Sequence, residues 1–186
     1  MADLTRRLAR VRVPLGFASA VVVLWFAQPS GRTLLAGSVV ALVGEALRVW
    51  AAGHLNKSRE VTASGPYRFF AHPLYVGSSV MGAGLAVASG SLIVTAIIAV
   101  YLGATIRAAI ASEEAFLRAT FGQAYDRYRR GEIGARDESA STRSFAFAQA
   151  TANREYRAAG GLLLAVLVLC LKAAYNGTFW RAAGTR

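Results

Sequence analysis

The sequence predicts an all-α, polytopic membrane protein with about five transmembrane helices and an amphipathic cytoplasmic helix. Three observations predict it. Of 186 residues, 55% are apolar, and they fall into blocks nearly free of charge. The blocks are separated by Gly/Ser/Pro turns or by long polar segments. The arginines gather on alternate sides of the blocks, as the positive-inside bias requires. A bilayer core about 30 Å thick needs roughly 20 helical residues at about 1.5 Å each. A soluble core is the alternative, but a single domain spanning 1–186 could not cover five such blocks with polar surface.

The first helix is expected over about 13–28. It follows Arg6, Arg7, Arg10 and Arg12 and ends in "AQPSGRT", a tight turn without a clear small-x-small cleavage site, so it reads as a span rather than a signal peptide. The second runs over 33–52 and carries Glu45 and Arg48, three residues apart and so on one side. Each would cost roughly 2.5–3.5 kcal/mol facing lipid at the bilayer centre, so they should face the bundle and pair, with a structural ion pair and a substrate contact equally open. Arg107 invites the same argument. The third helix covers 73–89 and the fourth 91–111, joined by "ASGS" (88–91). Segment 112–158 follows. Its first part, "SEEAFLRATFGQAYDRYRR", puts Leu117, Phe121, Tyr125 and Tyr128 on one helical stripe, the pattern of an amphipathic helix at a membrane surface. Its second, "GEIGARDESASTRS", is a linker by composition. The last helix covers 160–175.

The net charge is +11. Its distribution argues against nucleic acid, because a nucleic-acid binder gathers charge on one soluble face. Lys57, Arg59 and Arg68 follow the second helix, and Arg118, Arg127, Arg129, Arg130, Arg136, Arg143, Arg154 and Arg157 follow the fourth. Arg32, Arg181 and Arg186 are the sparse counterpart on the other side. The N-terminus is therefore expected in the cytoplasm and the C-terminus outside. Cys170 is alone in the last helix, and with two histidines and no second cysteine no metal site is expected.

Chemistry concentrates at the cytoplasmic helix ends. In "GPYRFFAHPLYVG" (65–77), Pro73 suits a first helical turn and pushes His72 toward extended geometry. His72 then stands at the mouth of the third helix, beside unsatisfied N–H groups that favour an anion. Locked there, it is expected to shape a pocket rather than act as a base. Gly82 and Gly84 read as close helix packing; Gly77 could equally make room for a ligand. Glu113 and Glu114 end the fourth helix at the same depth, where His54 and Lys57 could join them. No GxSxG, Walker, HExxH or GxGxxG pattern is present.

Together "LRVWAAGHLNK" (47–57), "GPYRFFAHPLYVG" (65–77), "SEEAFLRATFGQAYDRYRR" (112–130) and "NREYRA" (153–158) resemble the isoprenylcysteine carboxyl methyltransferase and phospholipid methyltransferase family of integral membrane enzymes. The resemblance implies an S-adenosylmethionine-dependent methyltransferase with cofactor segments 53–77 and 112–158. It implies that His72, Pro73, Tyr75, Gly77, Glu113 and Glu114 line the cofactor site, with Tyr67, Arg68, Gly53 and His54 nearby. Arg154 and Glu155 would lie near the methyl acceptor. An isoprenylcysteine-like carboxylate acceptor needs no base; a lipid amine or a thiol must lose a proton, with which Tyr128 or a glutamate could help. The family usually reads arginine where this chain has Ala71, and Arg68 could substitute.

Two other readings stand beside this one. Sterol-reductase-like membrane proteins share a GPYR…HPxY…G segment and use NADPH, but the glutamate pair followed by FGxxYxxY favours methyl transfer. A non-enzymatic membrane protein with a degenerate pocket is the third, for which Ala71 is the hint. The expected setting is the inner membrane of a bacterium or archaeon, with membrane lipid and a lipophilic acceptor as partners. Reporter fusions in loop 53–72 and at the C-terminus should report opposite sides of the membrane; the same side for both would remove the five-span topology.

Overall fold

The computed structural model describes residues 21–56, 61–132 and 144–180. Most of the expected first span, the 133–143 linker and the terminal arginines lie outside the described residues. Residues 21–26 are helical. Six further α-helices follow among the described residues: α1 (Gly31–His54), α2 (Pro73–Ser89), α3 (Leu92–Phe121), α4 (Gln123–Arg129), α5 (Phe147–Ala152) and α6 (Tyr156–Tyr175), with a 3-10 turn over Gly65–Arg68. No strand occurs among the described residues. The chain is an all-α membrane protein. Helices α1, α3 and α6 are long and apolar enough to cross a bilayer. At 17 residues, α2 is at the lower limit for doing so.

Local signals set the helix ends. Ser30 caps α1 in a reciprocal capping box with Thr33. Ser91 caps α3 through the Val94 amide. Between them Gly90 adopts φ 62°, ending α2 in the left-handed conformation that favours glycine. At this end Ala27, Leu34, Ala88, Val94, Leu169 and Ala173 form the hydrophobic core. The Lys172 ammonium donates to the Leu24 and Trp25 carbonyls, capping the helical residues 21–26.

Two expectations are corrected. The span expected to stop at 111 and the amphipathic helix expected from 112 are one unbroken helix as far as Phe121, which carries Glu113 and Glu114. The stripe expected over 112–130 is cut at Gly122, whose φ of 47° turns the chain before α4. Leu117 and Tyr125 therefore lie on separate helices instead of sharing one helix face.

Packing is closest between antiparallel α1 and α2. A Cβ on Gly44 would stand 2.7 Å from the Gly77 carbonyl oxygen, and one on Gly84 would stand 2.6 Å from that of Gly37. Backbone meets backbone here, the way small residues join helices in a bilayer. Gly44→Val should therefore lower unfolding free energy by roughly 1–3 kcal/mol or more. Gly160→Ala, where a Cβ meets nothing within 4 Å, should be neutral or mildly stabilising. Unfolding of both variants in detergent checks this; equal stability would mean that α1 and α2 can separate without cost.

Candidate functional site

At the end of the bundle opposite the core lies a cavity of about 510 Å³, within the range of about 300–1,000 Å³ common for ligand sites. Its walls come from the end of α1, the loop into α2, the first turn of α2, the last turns of α3, and α4.

His72 precedes Pro73 at the start of α2 with φ −136° and ψ 66°. Its Nε2 lies 3.3 Å from Glu114 Oε1 and its Nδ1 3.9 Å from Glu113 Oε2. The two carboxylates hold the ring between them. Glu113 lines the cavity, whereas Glu114 stands behind His72 and also meets Arg118 and Arg129 at 3.8 and 3.4 Å. The Tyr75 ring tilts against the His72 ring, centroids 5.9 Å apart. Because α3 continues past residue 111, its carboxylates reach the mouth of α2 from a rigid support.

Three tyrosines close the other side. Tyr128 donates its hydroxyl to the Tyr67 carbonyl at 2.9 Å, tying α4 to the 3-10 turn. Burial first and then neighbouring Tyr125 push the Tyr128 hydroxyl up to about 12. Burial, then Glu113, raises Tyr67 as well. Tyr128 thus keeps its proton near neutral pH and serves as a strut between α4 and the 3-10 turn. Tyr125 is almost wholly buried, and its hydroxyl has no hydrogen-bond partner among the described residues.

Behind the cavity Arg48 is held by Glu155. Arg48 Nε lies 2.6 Å from Glu155 Oε1 and 3.7 Å from Glu45 Oε2. Its Nη1 donates to Ser78 Oγ and, at 3.4 Å, to the Leu74 carbonyl. The expected Glu45–Arg48 pairing is present, but the shorter contact is with Glu155, 107 residues away. The turn after α5 delivers that carboxylate. Asn153 Nδ2 donates to the Ala52 and Leu55 carbonyls at 2.8 and 2.9 Å, and Gln149 Nε2 to Leu55 at 2.9 Å. These bonds satisfy carbonyls that the end of α1 leaves free.

Of the sequence-predicted residues, Tyr67, His72, Pro73, Tyr75, Glu113 and Tyr128 line the cavity. Others stand apart from it. His54 is buried beneath Gly65, with Nδ1 3.0 Å from the Trp50 carbonyl. Gly53 packs against Phe145. Gly77 faces Arg48 and Gly44 in the α1–α2 contact, which decides its two readings for packing. Arg68 and Arg154 are exposed, Arg154 in a turn with φ 61°. Arg68 therefore does not fill the place left by Ala71, which lines the cavity itself. Glu155 touches Arg48 rather than the open space. The sequence left Arg48 open between an ion pair and a substrate contact and did not single out Tyr125 as a cavity residue. A lone arginine inside an apolar span was the signal for the first, and FGxxY for the second.

With this geometry in place, residues 31–124 match the phospholipid methyltransferase family. The chain belongs to that family. A 96-residue stretch is 28% identical to a protein-S-isoprenylcysteine O-methyltransferase of Schizosaccharomyces pombe, covering 52% of this chain and 41% of that one. An 87-residue stretch is 36% identical to the cobalt-zinc-cadmium resistance protein CzcN of Cupriavidus metallidurans, covering 46% and 39%. The chain thus spans about two fifths of the length of these relatives. No solved structure matches it. The family match ends at residue 124, so it includes His72 and both glutamates but not Tyr125, Tyr128 or Glu155.

Removing one partner of a buried ion pair costs roughly 3–5 kcal/mol, whereas a solvent-exposed pair contributes about 0–1 kcal/mol. Glu155→Ala should therefore destabilise the protein by several kcal/mol. Glu113→Ala, at a side chain 41% exposed and 3.9 Å from its partner, should change stability little. Chemical unfolding of both variants compares them. A small, equal effect would mean that Glu155 does not hold Arg48 in place.

Proposed function

We propose that this chain is an S-adenosylmethionine-dependent methyltransferase acting on a small lipophilic acceptor at the cytoplasmic membrane face. Isoprenylcysteine-like carboxylates, lipid amines and thiols are the acceptor classes, and the setting is a bacterial or archaeal inner membrane. The observation that carries the reading is the His72–Glu113–Glu114 arrangement. It is set in a cavity with tyrosine walls at the ends of spanning helices, in a chain of the phospholipid methyltransferase family.

The residues present fit such a cofactor. Glu113 offers a carboxylate to an ammonium or to ribose hydroxyls, the Leu74 N–H in the first turn of α2 is left to meet a carboxylate because the Tyr75 and Val76 amides bond the His72 carbonyl, and the unpartnered Tyr125 hydroxyl offers a donor. When bound, S-adenosylmethionine supplies a methyl group on a sulfonium. The chain's own contribution is alignment and exclusion of water, the main requirements of an in-line displacement. His72 fixes the two glutamates relative to α2. For an amine or thiol acceptor, Glu113 is the cavity carboxylate placed to receive the proton.

Binding of S-adenosylmethionine, its demethylated product and NADPH to the purified protein tests the reading. The first two should bind and NADPH should not. Glu113→Gln should weaken S-adenosylmethionine about tenfold or more, since a charge-assisted hydrogen bond contributes roughly 1.5–3 kcal/mol. His72→Ala should weaken binding and turnover together, and His72→Asn should recover part of both. Normal affinity with abolished chemistry in the His72 variants would make that residue the base. Tight NADPH binding would transfer the site to a reductase.

A further inference from the structure

Along the seam of α2 and α3, on the outward face of the bundle, runs a second groove of about 400 Å³. Ser79, Ala83 and Ala86 line it from α2; Thr95, Ala99, Gly103 and Arg107 line it from α3. Thr95, Ala99, Gly103 and Arg107 recur every four residues and form a stripe of small side chains ending in an arginine, flanked by Ile98, Leu102 and Ile106. A Cβ on Gly103 would meet nothing within 4 Å, so the groove is open there. The stripe of small residues alone would suggest only helix packing.

Arg107 changes that. It is exposed and has no ion-pair or hydrogen-bond partner among the described residues. A guanidinium inside an apolar span marks a functional site by default. It lies six residues before Glu113, about 9 Å along the helix, so its side chain can reach the water boundary near the cavity. From Arg107 to Thr95 the groove runs about 18 Å, close to the roughly 15 Å of one leaflet's hydrocarbon. Arg107 and Ser79 sit at the end nearest the cavity, the walls beyond are Ala83, Ala86, Ala99, Ile98 and Leu102, and the Thr95 hydroxyl at the far end is spent on the Ser91 carbonyl. Charge at the leaflet surface with an apolar trough of leaflet depth beneath it matches one amphiphile in its ordinary bilayer orientation.

We propose that this groove is a binding site for one anionic glycerophospholipid, with its phosphate on Arg107 and an acyl chain in the α2–α3 seam. Arginine pairs with phosphate oxygens in a bidentate fork, and a second negative charge on the headgroup adds to the attraction. The site does not depend on which reaction the cavity performs.

Native mass spectrometry of the full chain in detergent tests it, with phosphatidylglycerol and phosphatidylcholine of identical acyl chains as probes. The wild type should retain one phosphatidylglycerol at least tenfold more tightly than phosphatidylcholine. Arg107→Gln should abolish that preference, Arg107→Lys should keep part of it, as a point charge without the bidentate fork, and Gly103→Leu should weaken both lipids by filling the trough. Thermal unfolding confirms that each variant is folded. Equal retention of the two lipids, or a preference that survives Arg107→Gln, overturns the proposal. A dimer that Gly103→Leu converts to monomer also overturns it, by assigning the groove to a second copy of the chain.

Discussion

Four glycines, Gly37 and Gly44 on α1 with Gly77 and Gly84 on α2, let the two helices approach until backbone meets backbone. The position of the cavity follows from that contact. With α1 held so close, Arg48 emerges against the first turns of α2, where Ser78 and the Leu74 carbonyl receive its guanidinium. The same approach brings the end of α1 under the 3-10 turn, with the His54 ring filling the space left by Gly65. A wider crossing would leave Arg48 facing lipid, where a charge is expensive, and would open the back of the cavity.

The second constraint is Glu155. It comes from a turn that Asn153 and Gln149 bind to the free carbonyls at the end of α1. A distant part of the chain thus completes both a helix cap and an ion pair. Arg154, with φ 61°, occupies a conformation that costs a non-glycine residue about 1–3 kcal/mol. The bonds on either side of it offset that cost. In this arrangement "NREYRA" works as a clamp: Asn153 grips backbone, Glu155 grips Arg48, and the arginine between them faces solvent.

The all-α membrane class was legible because apolar blocks and polar turns are local patterns. The start of α2 was legible for the same reason: Pro73 fixes it within one residue. The glutamate pair and His72 could be placed at one depth because antiparallel helices return to the same side. The roles of Gly77, His54 and Glu155 were not legible, because each depends on a neighbour from a different helix. Gly77 differs from a ligand-facing glycine only in that Gly44 happens to lie opposite. The break at Gly122 was hidden by a stripe that suits either one helix or two helices meeting at a bend. Hydrophobic periodicity does not distinguish these.

Charge sorts the ligands that the cavity can accept. Its lining carries the Glu113 carboxylate, with Glu114 just behind and Glu155 and Glu45 at the back. Among the described lining residues, the lone guanidinium is Arg48, already committed to Glu155. Arg118 and Arg129 meet Glu114 from outside and remain largely in solvent. A ligand with several phosphates would enter against carboxylates with no unpaired guanidinium to meet it. A ligand carrying a sulfonium and an ammonium would enter with the field, and a single carboxylate on it could be received by the Leu74 N–H in the first turn of α2. The same sorting explains why the exposed Arg107 matters. It stands outside this carboxylate cluster, exposed on α3 and without an ion-pair partner among the described residues.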